Sequence, residues 1–257
     1  MKFFGLEIPG VTRDQVLKKL DSVRVIYTPN PEILLEARKD KKFLRVLKKA
    51  DLLLPDGNGL QLVSTIKRFP SKWLRAFFLF PCMFTYIFFK KPFKMVIPEI
   101  IHGSDFMKTV VDWAELRGYS VFFLGAAPGV AQKTAEVFQK RNPQLKVAGS
   151  SHLNPGKDAL NLVKESKAQV VFVAYGAPKQ EFWIHDSIQK LKQTKLIMGV
   201  GGSFDFITGD VKRAPRFMRR LGLEWLWRLM LEPKKRAGRI YNATIKFPII
   251  SVFYDEK

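Results

Sequence analysis

The sequence predicts an α/β fold, a Rossmann-like, mostly parallel sheet with helices on both faces. Three observations support this. Runs such as Val170-Val171-Phe172-Val173-Ala174 are apolar at every position, as strands covered on both faces must be. These runs alternate with amphipathic stretches, and strand–helix alternation builds parallel sheets. The segments that follow the runs are rich in Gly and Pro, each with a polar group beside them.

Taken in order, Phe3–Ile8 reads as a strand. Thr12-Arg13-Asp14-Gln15 has capping-box spacing and opens a helix to about Asp21. Val23–Tyr27 is β-branched and apolar, hence a strand. Asn30-Pro31-Glu32 gives an N-cap, a first-position Pro and an acid in the first turn, opening a helix to about Ala50. Asp51–Leu54 is a short buried strand. After residues 70–97 the rhythm resumes. Strands are predicted at Ser120–Leu124, Lys146–Ser150, Gln169–Ala174 and Lys195–Val200. Helices are predicted at Pro128–Arg141, Asp158–Ala168 and about Pro178–Lys192. No repeat of 20–50 residues is present.

The chain has 257 residues, long enough to bury a core and to form one large domain or two small ones. A hydrophobic fraction of 47% and a charged fraction of 26% exclude global disorder and collagen. The lone Cys82 excludes a disulfide framework and a multi-cysteine metal site, and it suggests a reducing compartment. Met1-Lys2-Phe3-Phe4 begins like a secretory signal, but Glu7, Pro9 and Arg13 end the run too early, which places the chain in the cytoplasm. Lys and Arg number 44 against 23 acids, a net charge of +21. That excess asks for an anionic partner: nucleic acid, anionic lipid or a phosphorylated substrate.

In open parallel sheets, ligands bind at the carboxyl ends of the strands. Five loops fall there: Tyr27–Asn30, Pro55–Gly59, Gly125–Gly129, Tyr175–Glu181 and Gly199–Asp205. Gly and Pro are ordinary turn residues, so one such loop means little, but five on one edge mark a site. The Gly125 loop lacks both G-x-G-x-x-G and a Gly-Lys-Ser/Thr, so neither a dinucleotide nor a Walker loop is present.

Several of these stretches, in order along almost the whole chain, resemble the WecG/TagA/CpsF glycosyltransferases, family 26. They are Thr28-Pro29-Asn30, Leu54-Pro55-Asp56-Gly57-Asn58-Gly59, Gly103-Ser104-Asp105, Phe123-Leu124-Gly125, Gly176–Glu181, Gly199–Pro215 and Leu223–Arg228 with Glu232, Pro233 and Arg236. The resemblance implies inverting transfer of a sugar from a UDP-sugar to an undecaprenyl-diphosphate-linked acceptor, as in teichoic acid, common antigen or exopolysaccharide synthesis.

Inverting transfer needs a base, a stabilised leaving diphosphate and a held sugar. Asp56, at a predicted strand end, suits the base and matches the family's proposed catalytic Asp; a helix-capping Asp would sit there too. Thr28 is grouped with it as catalytic. Asn30, Asn58 and Gln180 are assigned to the substrate, although Asn30 is equally a plain cap. Lys179 and Glu181 read as surface residues. Backbone N–H groups at Gly201 and Gly202, with Arg228 and Arg236 by motif position, are assigned to the diphosphate. No D-x-D occurs, which argues for transfer without a metal or other cofactor. His102, His152 and His185 lie far apart and are read as structural.

Between residues 211 and 240, ten basic residues face Glu224 and Glu232, among Trp225, Trp227 and several Leu. This reads as a basic membrane-binding appendage, 211–257, added to a catalytic domain, 1–210. In the family the corresponding region is thought to bind the membrane and supply arginine. Segment 70–97 departs from the family pattern. Ala76–Phe89 holds fourteen uncharged residues, six of them Phe, with Lys67, Arg68, Lys72 and Arg75 before it and Lys90, Lys91 and Lys94 after it. It is too short to span a bilayer. Its readings are a Pro81-kinked helix or hairpin dipping into one leaflet, a core helix, or a protein contact. The predicted location is therefore the cytoplasmic face of the membrane. Competing functions are a basic nucleic-acid-binding protein and a non-catalytic membrane scaffold. No nucleic-acid-binding module is recognisable, so nucleic acid is not expected as a partner. A homo-oligomer is left open, as are the sugar and the linkage.

Overall fold

The computed structural model describes residues 1–211, 214, 215, 218 and 224–254. Its centre is a six-stranded, all-parallel sheet. The strands are β3 (Val25–Tyr27), β4 (Leu52–Leu53), β5 (Ser120–Gly125), β6 (Lys146–Ser151), β7 (Val170–Ala174) and β8 (Leu196–Gly199), in the order β4-β3-β8-β7-β5-β6. Side chains alternate between two cores. Val25, Tyr27, Val171 and Val173 enter one, while Ile26, Val170, Phe172 and Met198 enter the other. Both faces are covered, as the unbroken apolar runs require.

The first predicted strand is instead a small antiparallel hairpin, β1 (Lys2–Phe3) with β2 (Leu6–Glu7). Its turn places Phe4 and Gly5 at positive φ. The capping box at Thr12 forms, with reciprocal bonds to Gln15, and starts α1 (Arg13–Lys18). The single helix expected after Asn30 is two, α2 (Pro31–Lys39) and α3 (Lys41–Leu47). Asp40 breaks it, because its carboxylate accepts from the Lys42 and Phe43 N–H groups and caps a new helix.

Next come α4 (Asn58–Ile66), α5 (Lys72–Phe88) and α6 (Gly103–Leu116). Helix α5 continues through Pro81, which removes the hairpin alternative. Among the described residues, no helix is long and apolar enough to cross a membrane. The remaining sheet helices are α7 (Val130–Arg141), α8 (Lys157–Glu165), α9 (Lys179–Ser187) and α10 (Ser203–Thr208).

From Glu224 on the chain forms α11 (Glu224–Leu231), α12 (Pro233–Tyr241), a π-helical turn (Asn242–Lys246) and α13 (Phe247–Phe253). Residues beyond the predicted boundary at 210 reach the core. Phe247 is fully buried and its ring packs against Phe3 and Phe4. Val252 is fully buried with Leu62, Ile66 and Leu79, which ties α13 to α4 and α5.

Candidate active site

Three loops meet at the carboxyl edge of the sheet because their backbones bond to one another. The Asp56 N–H donates to Pro29 O at 3.2 Å, and the Ile101 N–H donates to Pro55 O at 2.9 Å. The loop after β3 thus lies beside the loop after β4, which lies beside the entry to α6. Gly57 has φ +111°, and a Cβ there would sit 3.1 Å from Pro31 Cδ. Only glycine suits such a turn.

This seam opens into a cleft of about 950 Å³, large enough for a nucleotide-sized ligand. Thr28, Asn30, Asp56, Asn58, Gln180, Gly201, Gly202 and Arg236 all line it. The backbone of Arg228 lies in α11 and its side chain lies outside the described residues, as do Lys212, Arg213, Arg216, Arg219 and Arg220 of the basic tail.

In this cleft His102 Nδ1 lies 2.9 Å from Asp56 Oδ1. The Gly103 N–H, at the start of α6, points at Asp56 Oδ2 from 3.5 Å. Asp56 therefore sits against the N-terminus of a neighbouring helix, and Gly57 is the N-cap of α4. An ionised carboxylate only accepts, so with Asp56 ionised the proton of this contact sits on His102 Nδ1. The structural role expected for His102 gives way to a place in the cleft beside Asp56. Distance in sequence hid the pair, although His102 directly precedes the Gly103-Ser104-Asp105 motif.

Asn30 does cap α2: its Oδ1 accepts from Glu32 N and Ile33 N, both at 3.0 Å. Its amide NH₂ is what it can offer a ligand. Asn58 Oδ1 and Gln61 Oε1 lie 3.2 and 2.8 Å from the Tyr86 hydroxyl, which joins α4 to α5.

Gln180 is almost fully buried and holds two loops together. Its Oε1 accepts from Gly176 N at 3.2 Å and from Gly201 N at 2.9 Å. The Gly201 N–H, assigned from the sequence to the diphosphate, is bonded to Gln180 in this structure. Gln180 Nε2 donates to Glu181 Oε1 at 2.9 Å. Glu181 is fully buried, which overturns its reading as a surface residue; Lys179 is exposed as expected. Burial raises the Glu181 carboxyl to about 7, partly offset by its bond from Gln180. The Tyr27 hydroxyl donates to Glu181 O, and burial, then the Glu181 charge, hold its proton on.

Helix α12 brings two guanidinium groups to the cleft. Arg236 Nε donates to Glu232 Oε2 at 2.7 Å. Arg239, one of the ten basic residues of the tail, pairs with Glu32 of α2 at 2.9 Å. Among the described residues, no cluster of three or more His, Cys, Asp or Glu could hold a metal ion.

A carboxylate–imidazole pair and guanidinium groups lining one cleft suit a transferase acting on a phosphate-bearing substrate. Sequence comparison agrees. The model of the glycosyl transferase WecG/TagA/CpsF family matches residues 1–80 and 82–255, and the chain belongs to that family of glycosyltransferases. It is 34% identical over 212 residues to an N-acetylglucosaminyldiphosphoundecaprenol N-acetyl-β-D-mannosaminyltransferase of Bacillus spizizenii, covering 82% of this chain and 72% of the relative. It is 32% identical over 213 residues to the protein of the same name from Bacillus subtilis, covering 81% and 72%.

Proposed function

We propose that the chain is an inverting glycosyltransferase that moves a hexose-type sugar from a UDP-sugar to an undecaprenyl-diphosphate-linked saccharide. It would work as a peripheral or monotopic protein at the cytoplasmic face of the bacterial membrane, in cell-surface polysaccharide synthesis. The observation that carries this reading is the Asp56–His102 pair in the cleft, in a chain whose relatives are named for an undecaprenol-diphosphate acceptor.

Asp56 takes the acceptor hydroxyl's proton as the oxygen attacks the anomeric carbon, and the nucleoside diphosphate leaves from the opposite face. Arg236 and Arg239 meet the developing phosphate charge, since a guanidinium grips phosphate through paired N–H donors. The chain has no D-x-D pair to hold a metal on the diphosphate, so protein cations supply the positive charge.

The test is turnover across a panel of UDP-sugars with an undecaprenyl-diphosphate-linked N-acetylglucosamine acceptor, with and without EDTA. Product from at least one donor, undiminished by EDTA, is the expected result. Silence across the panel would sink the reading, and loss in EDTA would sink its metal-free part. Arg236→Ala should lower kcat/KM for the donor by about 10²-fold, the usual scale for removing one charge-stabilising donor. Arg236→Lys should recover only part of that, because an ammonium lacks the planar fork. Wild-type kinetics in Arg236→Ala would remove that residue from the diphosphate site.

A further inference from the structure

We propose that the outer face of α5 seats the protein on one leaflet of an anionic bilayer and thereby sets the mouth of the cleft at the lipid surface. This deepens the reading above and rests on it for the identity of the acceptor. The two faces of α5 are different. On the inner face Leu79 and Tyr86 are buried against Leu62, Ile66 and Val252. On the outer face Trp73, Phe77, Phe80, Phe84 and Phe88 are 71, 73, 65, 69 and 60% exposed. Their spacings of three and four residues draw one stripe along the helix. Phe89 and Met95 extend it, and α13, packed beside α5, exposes Ile249 and Phe253.

A stripe of five exposed aromatic side chains asks for a cover, and charge decides which. From Gly57 to Pro98 there is no Asp or Glu, while Lys67, Arg68, Lys72, Arg75, Lys90, Lys91 and Lys94 stand at the two ends of the helix. Arg68, Lys72, Lys91 and Lys94 are exposed. Two copies meeting through this face would bring those cations together, whereas anionic headgroups would pair with them. At 17 residues α5 cannot cross a bilayer, but its apolar stripe can lie at the headgroup boundary.

Placement links this surface to the chemistry. Met83 and Tyr86, on the inner side of the same helix, line the cleft that holds Asp56. Only one helix thickness, about 10 Å, then separates the seated face from the cleft. A diphosphate headgroup carried by a lipid would enter from the side on which its own membrane lies.

The experiment is flotation of the full chain with phosphatidylcholine vesicles, pure or with about 30% phosphatidylglycerol, read without any acceptor. Wild type should float with the anionic vesicles and release as salt rises. The triple variant Phe77→Ser, Phe80→Ser, Phe84→Ser should lose at least about tenfold in partitioning, since its changes remove apolar area only from the outer face. Lys72→Glu, Lys91→Glu, Lys94→Glu should lose the preference for anionic vesicles. The Phe variant should also turn over a short-chain, water-soluble acceptor at the wild-type rate while losing about tenfold on an acceptor embedded in vesicles. Wild-type flotation by the Phe variant would overturn the proposal, and so would a wild-type dimer in light scattering that the Phe changes dissolve. Because flotation needs no turnover, failure of the transfer assay leaves this result readable on its own.

Discussion

Asp56→Asn should abolish transfer, with kcat falling by about 10³-fold or more while the donor still binds. The change is nearly isosteric, and the backbone bond from Asp56 N to Pro29 O survives it, so the cleft keeps its shape. What disappears is the acceptor-only carboxylate proposed to take the hydroxyl proton, and general-base catalysis is worth about 10²–10⁴-fold. Calorimetric titration with the UDP-sugar should give a dissociation constant within about threefold of wild type, the pattern of an interaction made only in the transition state. His102→Gln is the companion. The amide can still donate to Asp56, so a loss of only about tenfold is expected if His102 orients the carboxylate. A loss as large as that of Asp56→Asn would hand the proton to His102. Full activity in Asp56→Asn would exclude it as the base.

The strand ends were legible because short apolar runs bounded by Gly and Pro leave little choice of element, and the site follows from parallel-sheet topology. Asn30 and Thr12 were legible as caps because a cap is a contact within three residues. What was missed depends on contacts across the chain. Asp56 and His102 are 46 positions apart, and periodicity carries no information about such a pair. Glu181, like Lys179, reads as solvated because it is a charged residue at a helix start, yet α9 packs against β7 and β8 and buries it. Phe247 and Val252 lie beyond a strongly basic stretch, so they read as appendage although they complete the core. For α5, composition gave an apolar segment with basic ends, and only packing divides it into a buried face that lines the cleft and an exposed aromatic one.

Glu181→Gln should stabilise the protein at pH 8 and leave it nearly unchanged at pH 4. In the unfolded chain this carboxyl titrates near 4.5, whereas in the fold burial raises it to about 7. Below the unfolded value both states hold the proton and no penalty exists. As pH rises from 4.5 towards 7 the unfolded chain ionises while the folded chain does not, so wild-type stability falls through that window and stays low above it. The span corresponds to about 3 kcal/mol. For a chain of this size that is roughly 6–10 °C in Tm. Glutamine does not titrate, so its advantage should grow from near zero at pH 4 to that full amount at pH 8. Gln180 should be preserved: its Oε1 receives the Gly176 and Gly201 N–H groups, which fixes its Nε2 towards position 181, where a glutamine oxygen can replace Oε1 of the glutamate. Among the described residues Glu181 Oε2 has no hydrogen-bond partner, so exchanging that oxygen for an amide nitrogen breaks no bond seen there. Calorimetric Tm values across pH 4–8 decide the matter. A Glu181→Gln variant less stable than wild type at pH 8 would show that the buried carboxylate is stabilised in its charged form. Glu181→Leu would then separate charge from bonding, because it strands the Gln180 Nε2 and loosens both loops, costing about 1–3 kcal/mol at every pH.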